Sequence, residues 1–106
     1  MASDLSLGEF EQLVLLAVLR CGEDAYGMAV RRTLHERTGR DAAIGAVYAT
    51  LDRLEDKGLV RSGERGGDAS RGGRAKRWFH VTAAGLRALR NAEQRLAAMR
   101  EGLELA

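Results

Sequence analysis

The sequence predicts a mainly α chain with one small antiparallel β-hairpin. Apolar residues recur at helical spacing in four separate stretches. Two short β-prone runs stand between the third and fourth stretches, one on each side of a glycine-rich segment. A length of 106 residues fits one folding unit and hardly two.

Leu5-Ser6-Leu7-Gly8-Glu9-Phe10 reads as a helix start. Ser6 and Glu9 have the spacing of a capping box, and Leu5 and Phe10 that of a hydrophobic staple. The first helix runs on through Leu13, Val14, Leu16, Ala17 and Leu19 to about Gly22. Apolar over most of its circumference, it is expected to be the buried spine. Asp24 can cap a second helix from about Ala25 to Thr38, with Gly39 as its stop. Tyr26, Val30, Thr33 and Leu34 can face inward, and Arg31, Arg32, Glu36 and Arg37 outward.

A short turn, Gly39 to Ala43, leads into a third helix. Ile44, Val47, Tyr48, Leu51 and Leu54 form a single apolar stripe along it, and Gly58 supplies the stop. The opposite face holds Ala46, Ala49, Arg53 and Lys57, flanked by Ala43, Gly45 and Thr50. A face of alanines and glycine beside an arginine can approach another macromolecule closely.

Leu59 to Arg65 and Lys76 to Val81 read as two strands of a hairpin. Thr82 can cap a last helix over Ala83 to Leu103. Along it Leu89, Ala92, Leu96, Met99, Leu103 and Ala106 recur in alternating steps of three and four, the seam of a coiled coil. That stripe is longer than three short helices can cover. It is expected to pair with a second copy, against the alternative that it folds back on the first helix.

Charge is uneven. Residues 1–60 carry seven basic and ten acidic side chains, whereas residues 61–77 carry six basic and two acidic. Gly63, Gly66, Gly67, Gly72 and Gly73 lie in this basic stretch. An arginine-loaded glycine loop attracts polyanions, although a solvated hairpin tip would have the same composition. The order of elements is that of a winged helix-turn-helix, in which the third helix enters the major groove of double-stranded DNA. On this plan residues 1–82 form the DNA-binding unit and 83–106 the dimerisation helix of one compact body. Candidate DNA contacts are Ala46, Tyr48, Ala49, Thr50 and Arg53 on the helix and Arg65, Arg71, Arg74 and Lys76 on the wing. Leu89, Ala92, Leu96, Met99 and Leu103 are the candidate homodimer interface.

Other classes fare badly. The longest apolar run, Leu13 to Leu19, is too short to span a bilayer, and no membrane association is expected. The N-terminus has no signal-type core, and the single Cys21 makes no internal disulfide, so a cytoplasmic protein is expected. His35 and His80 stand without metal-spaced partners, and no metal or cofactor is expected. No phosphate loop, nucleophile elbow or His-Glu-x-x-His motif is present, so an enzyme is not expected.

Four blocks carry a resemblance: Leu7-Gly8-Glu9-Phe10-Glu11, then Tyr26-Gly27, then the run from Ile44 to Val60, and last Gly73 to Gly85. In that order and spacing the chain resembles the PadR family of bacterial transcriptional regulators. The family often has Thr where Ala46 stands and Pro where Ala49 stands. The short end resembles compact members that dimerise through one C-terminal helix. The resemblance implies a repressor released by a small aromatic or cationic effector. Compact members stack planar ligands on a tryptophan of the last helix. Here Trp78 lies in the preceding strand and reads as packing of the wing against the first helix. A winged-helix protein-interaction module that has lost DNA binding is the rival reading.

Overall fold

The computed structural model describes residues 6–66 and 75–105. Among them the order is α1 (Glu9–Cys21), a 3-10 turn (Gly22–Asp24), α2 (Gly27–Thr38), α3 (Ile44–Asp56), β1 (Val60–Gly66), β2 (Ala75–Val81) and α4 (Ala83–Arg100). β1 and β2 pair antiparallel, with Val60 opposite Val81, Ser62 opposite Phe79 and Gly63 opposite Trp78. This is a winged helix-turn-helix with one further helix.

The start of α1 differs from expectation. Gly8, not Ser6, is the N-cap, and the Glu11 carboxylate accepts the Gly8 N–H at 3.0 Å. Glycine has no side chain to complete a capping box, so Glu11 supplies the whole side-chain cap. The expected staple involves Leu5, which lies outside the described residues. Val14, Leu15, Ala17 and Val18 are buried, but Leu16 and Leu19 stay 38% and 43% exposed. The spine is therefore buried on one side only.

The beginning of α2 is also displaced. Asp24 does not cap it; the helix starts at Gly27, after an extended Tyr26. Tertiary pairing overrides the local signal. Phe79 donates its N–H to Ala25 O at 3.0 Å, and Tyr26 forms a β-bridge with Trp78. Residues 25 and 26 thus serve as a short third strand along the free edge of β2, and a helix cannot begin until they are passed.

The end of α3 follows its sequence. Gly58 has φ +78°, Leu59 N–H reaches Leu54 O at 2.9 Å, and Gly58 N–H reaches Glu55 O at 2.9 Å. These two bonds are a Schellman motif, and Leu59 is buried under it. Thr82 caps α4 as expected: its Oγ1 accepts from Gly85 N–H at 3.1 Å and donates to Gly58 O at 2.7 Å. The helix stops at Arg100, three residues short of expectation, and Leu103 N–H turns back to Arg100 O at 2.9 Å.

The core joins Val14, Leu15 and Val18 of α1 to Val30 and Leu34 of α2, and to Val47, Leu51 and Leu54 of α3. Phe79 fills its wing side. Strand alternation gives that place to Phe79 and turns Trp78 to the outer face of the hairpin, contrary to the expected packing of Trp78 against α1. Trp78 lies instead across Gly63, where a Cβ would collide with the indole.

Gly85 is pressed between Leu59 O and Val81, and a Cβ there would meet the Leu59 carbonyl. Gly45, on α3, has nothing within 4 Å of the same position. Gly85→Ala is therefore expected to lower unfolding stability by about 1–3 kcal/mol. Gly45→Ala should raise it by about 0.5–1 kcal/mol. Urea titration of the two variants beside the parent checks both signs.

Candidate nucleic-acid interface

Because Val47, Leu51 and Leu54 anchor α3 from below, its opposite face is held firmly and turned outward. Ala46, Ala49 and Arg53 are exposed on it, as expected. Thr50 is not: it is 2% exposed, and this corrects its expected place among the DNA contacts. Position 50 lies three residues after Val47 and four before Leu54, so it turns with the apolar stripe. Its hydroxyl accepts from Arg53 Nη2 at 3.0 Å. Thr50 thus supports an arginine and offers no surface of its own.

Arg53 has a second partner that sequence reasoning missed. Its Nε stands 3.8 Å from Glu11 Oε2, while Lys57 Nζ reaches the two Glu11 oxygens at 3.2 and 2.9 Å. The Glu11 side chain is 11% exposed. Burial pushes its carboxyl upward, but the hydrogen bonds from Lys57 and Gly8 and the charges of Lys57 and Arg53 outweigh this and hold it below the usual range. A contact spanning 46 positions of sequence carries no local signal.

Tyr48 is half-buried at the edge of the stripe. Its ring crosses the start of α2 so closely that a Cβ on Gly27 would run into the phenol. The Tyr-Gly pair opening α2 therefore has a steric reason. Tyr48 shares an open cleft of about 730 Å³ with Asp24, Tyr26, Arg32, Lys76 and Arg77. Arg32 and Lys76 beside two phenolic rings suit a phosphate backbone, Arg77 being taken up by Asp52 and Glu55.

The wing is tied to the back of α3. Arg77, two positions before Phe79, shares its inward face and bonds Asp52 at 2.9 Å and Glu55 at 2.8 Å. Desolvation lowers the Arg77 pKa, but the hydrogen bonds and charges of Asp52 and Glu55 exceed it and raise the pKa above the ordinary value. The other Glu55 oxygen accepts Ser62 N–H at 3.1 Å and Ser62 Oγ at 2.8 Å. On the outer face Lys76 lies 5.2 Å from the Tyr26 ring centroid, and the Arg65 guanidinium 5.3 Å from that of Trp78. Arg65 also donates to Glu23 O at 3.3 Å. Arg71 and Arg74 lie outside the described residues.

The candidate interface residues of α4 divide. Leu96, Met99 and Leu103 are 56%, 79% and 63% exposed. Leu89 and Ala92 are buried in this chain's own core, a correction to their expected place in an intermolecular seam. The first half of α4 does fold back, and only its second half keeps apolar surface to give. Among the described residues no group of three His, Cys, Asp or Glu side chains could hold a metal, and no helix is long and apolar enough to cross a membrane.

A hairpin clamped to an exposed helix in this way defines a winged-helix DNA-binding fold. A winged-helix DNA-binding protein, F93 from STIV, has a TM-score of 0.69 at 15% identity, over 88% of this chain and 92% of the other. A PadR family transcription regulator from Clostridium difficile gives 0.70 at 22% identity, over 87% and 92%. At these identities the likeness is one of fold. A PadR family transcriptional regulator from Eggerthella lenta gives 0.70 at 28% identity, over 90% and 82%. Comparison with curated protein sequences returned no match. The family model of PadR-like transcriptional regulators matches residues 15–91, and the chain belongs to that family.

The Glu11 network has a definite pH signature. A carboxyl lowered in the folded state contributes stability that is full above the unfolded pKa, about 4.3, and is lost as pH falls through the lower folded value. Glu11→Gln is expected to cost about 1–3 kcal/mol at neutral pH. That gap should narrow as the pH is taken down to about 3. Urea unfolding of both proteins at the two pH values measures it.

Proposed function

We propose that this DNA-binding regulator is a repressor that reads an inverted-repeat operator as a homodimer and is released by a small aromatic or cationic ligand. The observation that carries the DNA half of the reading is the outer face of α3. It is slim at Ala46 and Ala49 and bears Arg53, while Tyr48, on another side of the helix, lines a cleft with Arg32 and Lys76. Small side chains let the helix approach base edges closely, and a braced guanidinium can make the bidentate contact to guanine. Repression and ligand release rest on the family resemblance. So does a cytoplasmic location.

The dimer half is supported by surface that the protomer leaves uncovered. Leu96 and Met99 continue the stripe that Leu89 and Ala92 begin, Leu103 follows beyond the helix end, and Leu16 and Leu19 of α1 add further exposed apolar area. A two-fold pair would set its two α3 helices about one helical turn, 10–10.5 bp, apart on one duplex face, or a multiple of it.

Base reading and phosphate attraction should separate by residue. Arg53→Ala is expected to cost about 1–3 kcal/mol on the operator and much less on random DNA. Lys76→Ala should weaken both alike. It should also flatten the log–log salt dependence by about 0.9 for each phosphate no longer neutralised, and by twice that if the change acts in both subunits. The same behaviour is expected for Arg71 and Arg74. Fluorescence anisotropy with operator and shuffled duplexes, repeated over a range of salt, measures both quantities. Loss of discrimination in the wing variants, and its retention without Arg53, would exchange the roles.

Leu96→Asp places a charge in the middle of the exposed stripe. It is expected to convert the dimer to monomer in sedimentation equilibrium. An unchanged dimer would remove α4 from the interface.

A further inference from the structure

We propose that Glu11 sets DNA specificity from beneath the recognition helix, holding Arg53 in a reading posture and keeping Lys57 off the phosphate backbone. The inference rests on the DNA-binding reading above and goes beyond it, because Glu11 belongs to α1 and is only 8% exposed. It acts through two other side chains and is a positioning residue.

Arg53 lies in the last turn of α3 and Lys57, four residues on, is its C-cap, next to the face formed by Ala46 and Ala49. One carboxylate serves both. Oε1 accepts from Gly8 N–H at 3.0 Å and from Lys57 Nζ at 3.2 Å. Oε2 accepts from Lys57 Nζ at 2.9 Å and faces Arg53 Nε at 3.8 Å. The Gly8 bond ties the carboxylate to the start of α1, so its direction is fixed by backbone and not by the cations it holds. Its lowered pKa agrees with a group that stays ionised at neutral pH.

The two cations are held to different degrees. Lys57, with its side chain 34% exposed, gives its ammonium to both carboxylate oxygens. A free lysine on this face would be a flexible point charge drawn to any phosphate, adding affinity without sequence information. Arg53 keeps 56% of its side chain exposed. Nε faces Glu11 and Nη2 donates one N–H to Thr50, which orients the fork and leaves the outer N–H groups of Nη1 and Nη2 for a bidentate contact. Glu11 thereby suppresses the contact that every duplex offers and aligns the one that only some duplexes offer.

The test uses the full chain with two duplexes: one selected by the wild-type protein from a random pool, and a shuffled control. Glu11→Gln keeps the acceptor for Gly8 N–H but removes the charge. It is expected to bind the shuffled duplex more tightly. Its salt dependence should steepen by about 0.9 for each cation released onto a phosphate, counted per subunit. The preference for the selected duplex should fall by about tenfold. Equal weakening on both duplexes with an unchanged salt slope would mark Glu11 as a merely structural residue and overturn the proposal.

Lys57→Met supplies a second reading should Glu11→Gln fail to fold. Because Lys57 is withheld from DNA, its removal is expected to leave the salt slope where it was. Flattening by about 0.9 would mean that Lys57 is already a phosphate contact, and would overturn the proposal by itself. A wild-type protein that selects no duplex sinks the DNA-binding reading. A wild-type protein that discriminates, beside a Glu11→Gln variant that does so equally well, sinks only the role of Glu11.

Discussion

Phe79 has to be buried, and the two-residue period of β2 makes the other side chains of that strand follow. With Phe79 in the core, Arg77 must point toward α3, where Asp52 and Glu55 receive it. Trp78 must then point outward across Gly63, with Lys76 on its side. The Phe79 N–H donates to Ala25 O, which recruits residues 25 and 26 as an extra edge. One buried ring thus sets the angle of the wing, the late start of α2 and the division between the clamped and the exposed face of the hairpin. A one-residue slip of this strand would place a tryptophan in the core and a lysine against two carboxylates.

Much of this was legible in the sequence where the signal is local. The apolar stripe of α3, the glycine ends of α2 and α3, and the Thr82 cap are all short-range patterns, and each appears where its residues place it. The parts that were not legible depend on residues distant in sequence. Asp24 has the chemistry of a cap, but strand pairing with residues some fifty positions later decides where α2 begins. Glu11 and Lys57 meet only because α1 lies beneath α3. Thr50 is a different case: its spacing to Val47 and Leu54 places it with the stripe, and only its polar hydroxyl suggested an outward role. The heptad pattern of α4 is real along its whole length. What it could not reveal is that α1 already occupies the first half of the seam, taking Leu89 and Ala92 out of reach of another chain.

The charge balance also becomes intelligible once partners are known. The acidic surplus of the first 60 residues divides: Glu9, Glu23, Asp24, Glu36, Asp41 and Asp56 are exposed, whereas three others meet cations where elements join. Glu11, Asp52 and Glu55 are committed to Lys57, Arg53 and Arg77 at the junctions between elements. Carboxylates so close to a surface meant for a polyanion would ordinarily oppose its approach. Each of these is instead screened by a cation lodged against it. Lys76 has its charge over an aromatic ring, so its attraction for phosphate is not cancelled by a carboxylate.

The junction at Gly58 and Leu59 has a mechanical side. Leu59 N–H closes α3, Leu59 O accepts from Thr82 N–H at 3.0 Å, Thr82 Oγ1 reaches Gly58 O, and Gly85 rests on the Leu59 carbonyl. The end of one helix and the beginning of another therefore share a single peptide as their pivot. The 18 residues of α4 form a stiff arm of about 27 Å at 1.5 Å per residue, and its outer half is free of the core. Because Leu89 and Ala92 pin the inner half of this arm in the core, its exposed half stands in a set direction relative to α3, with no linker between the two helices.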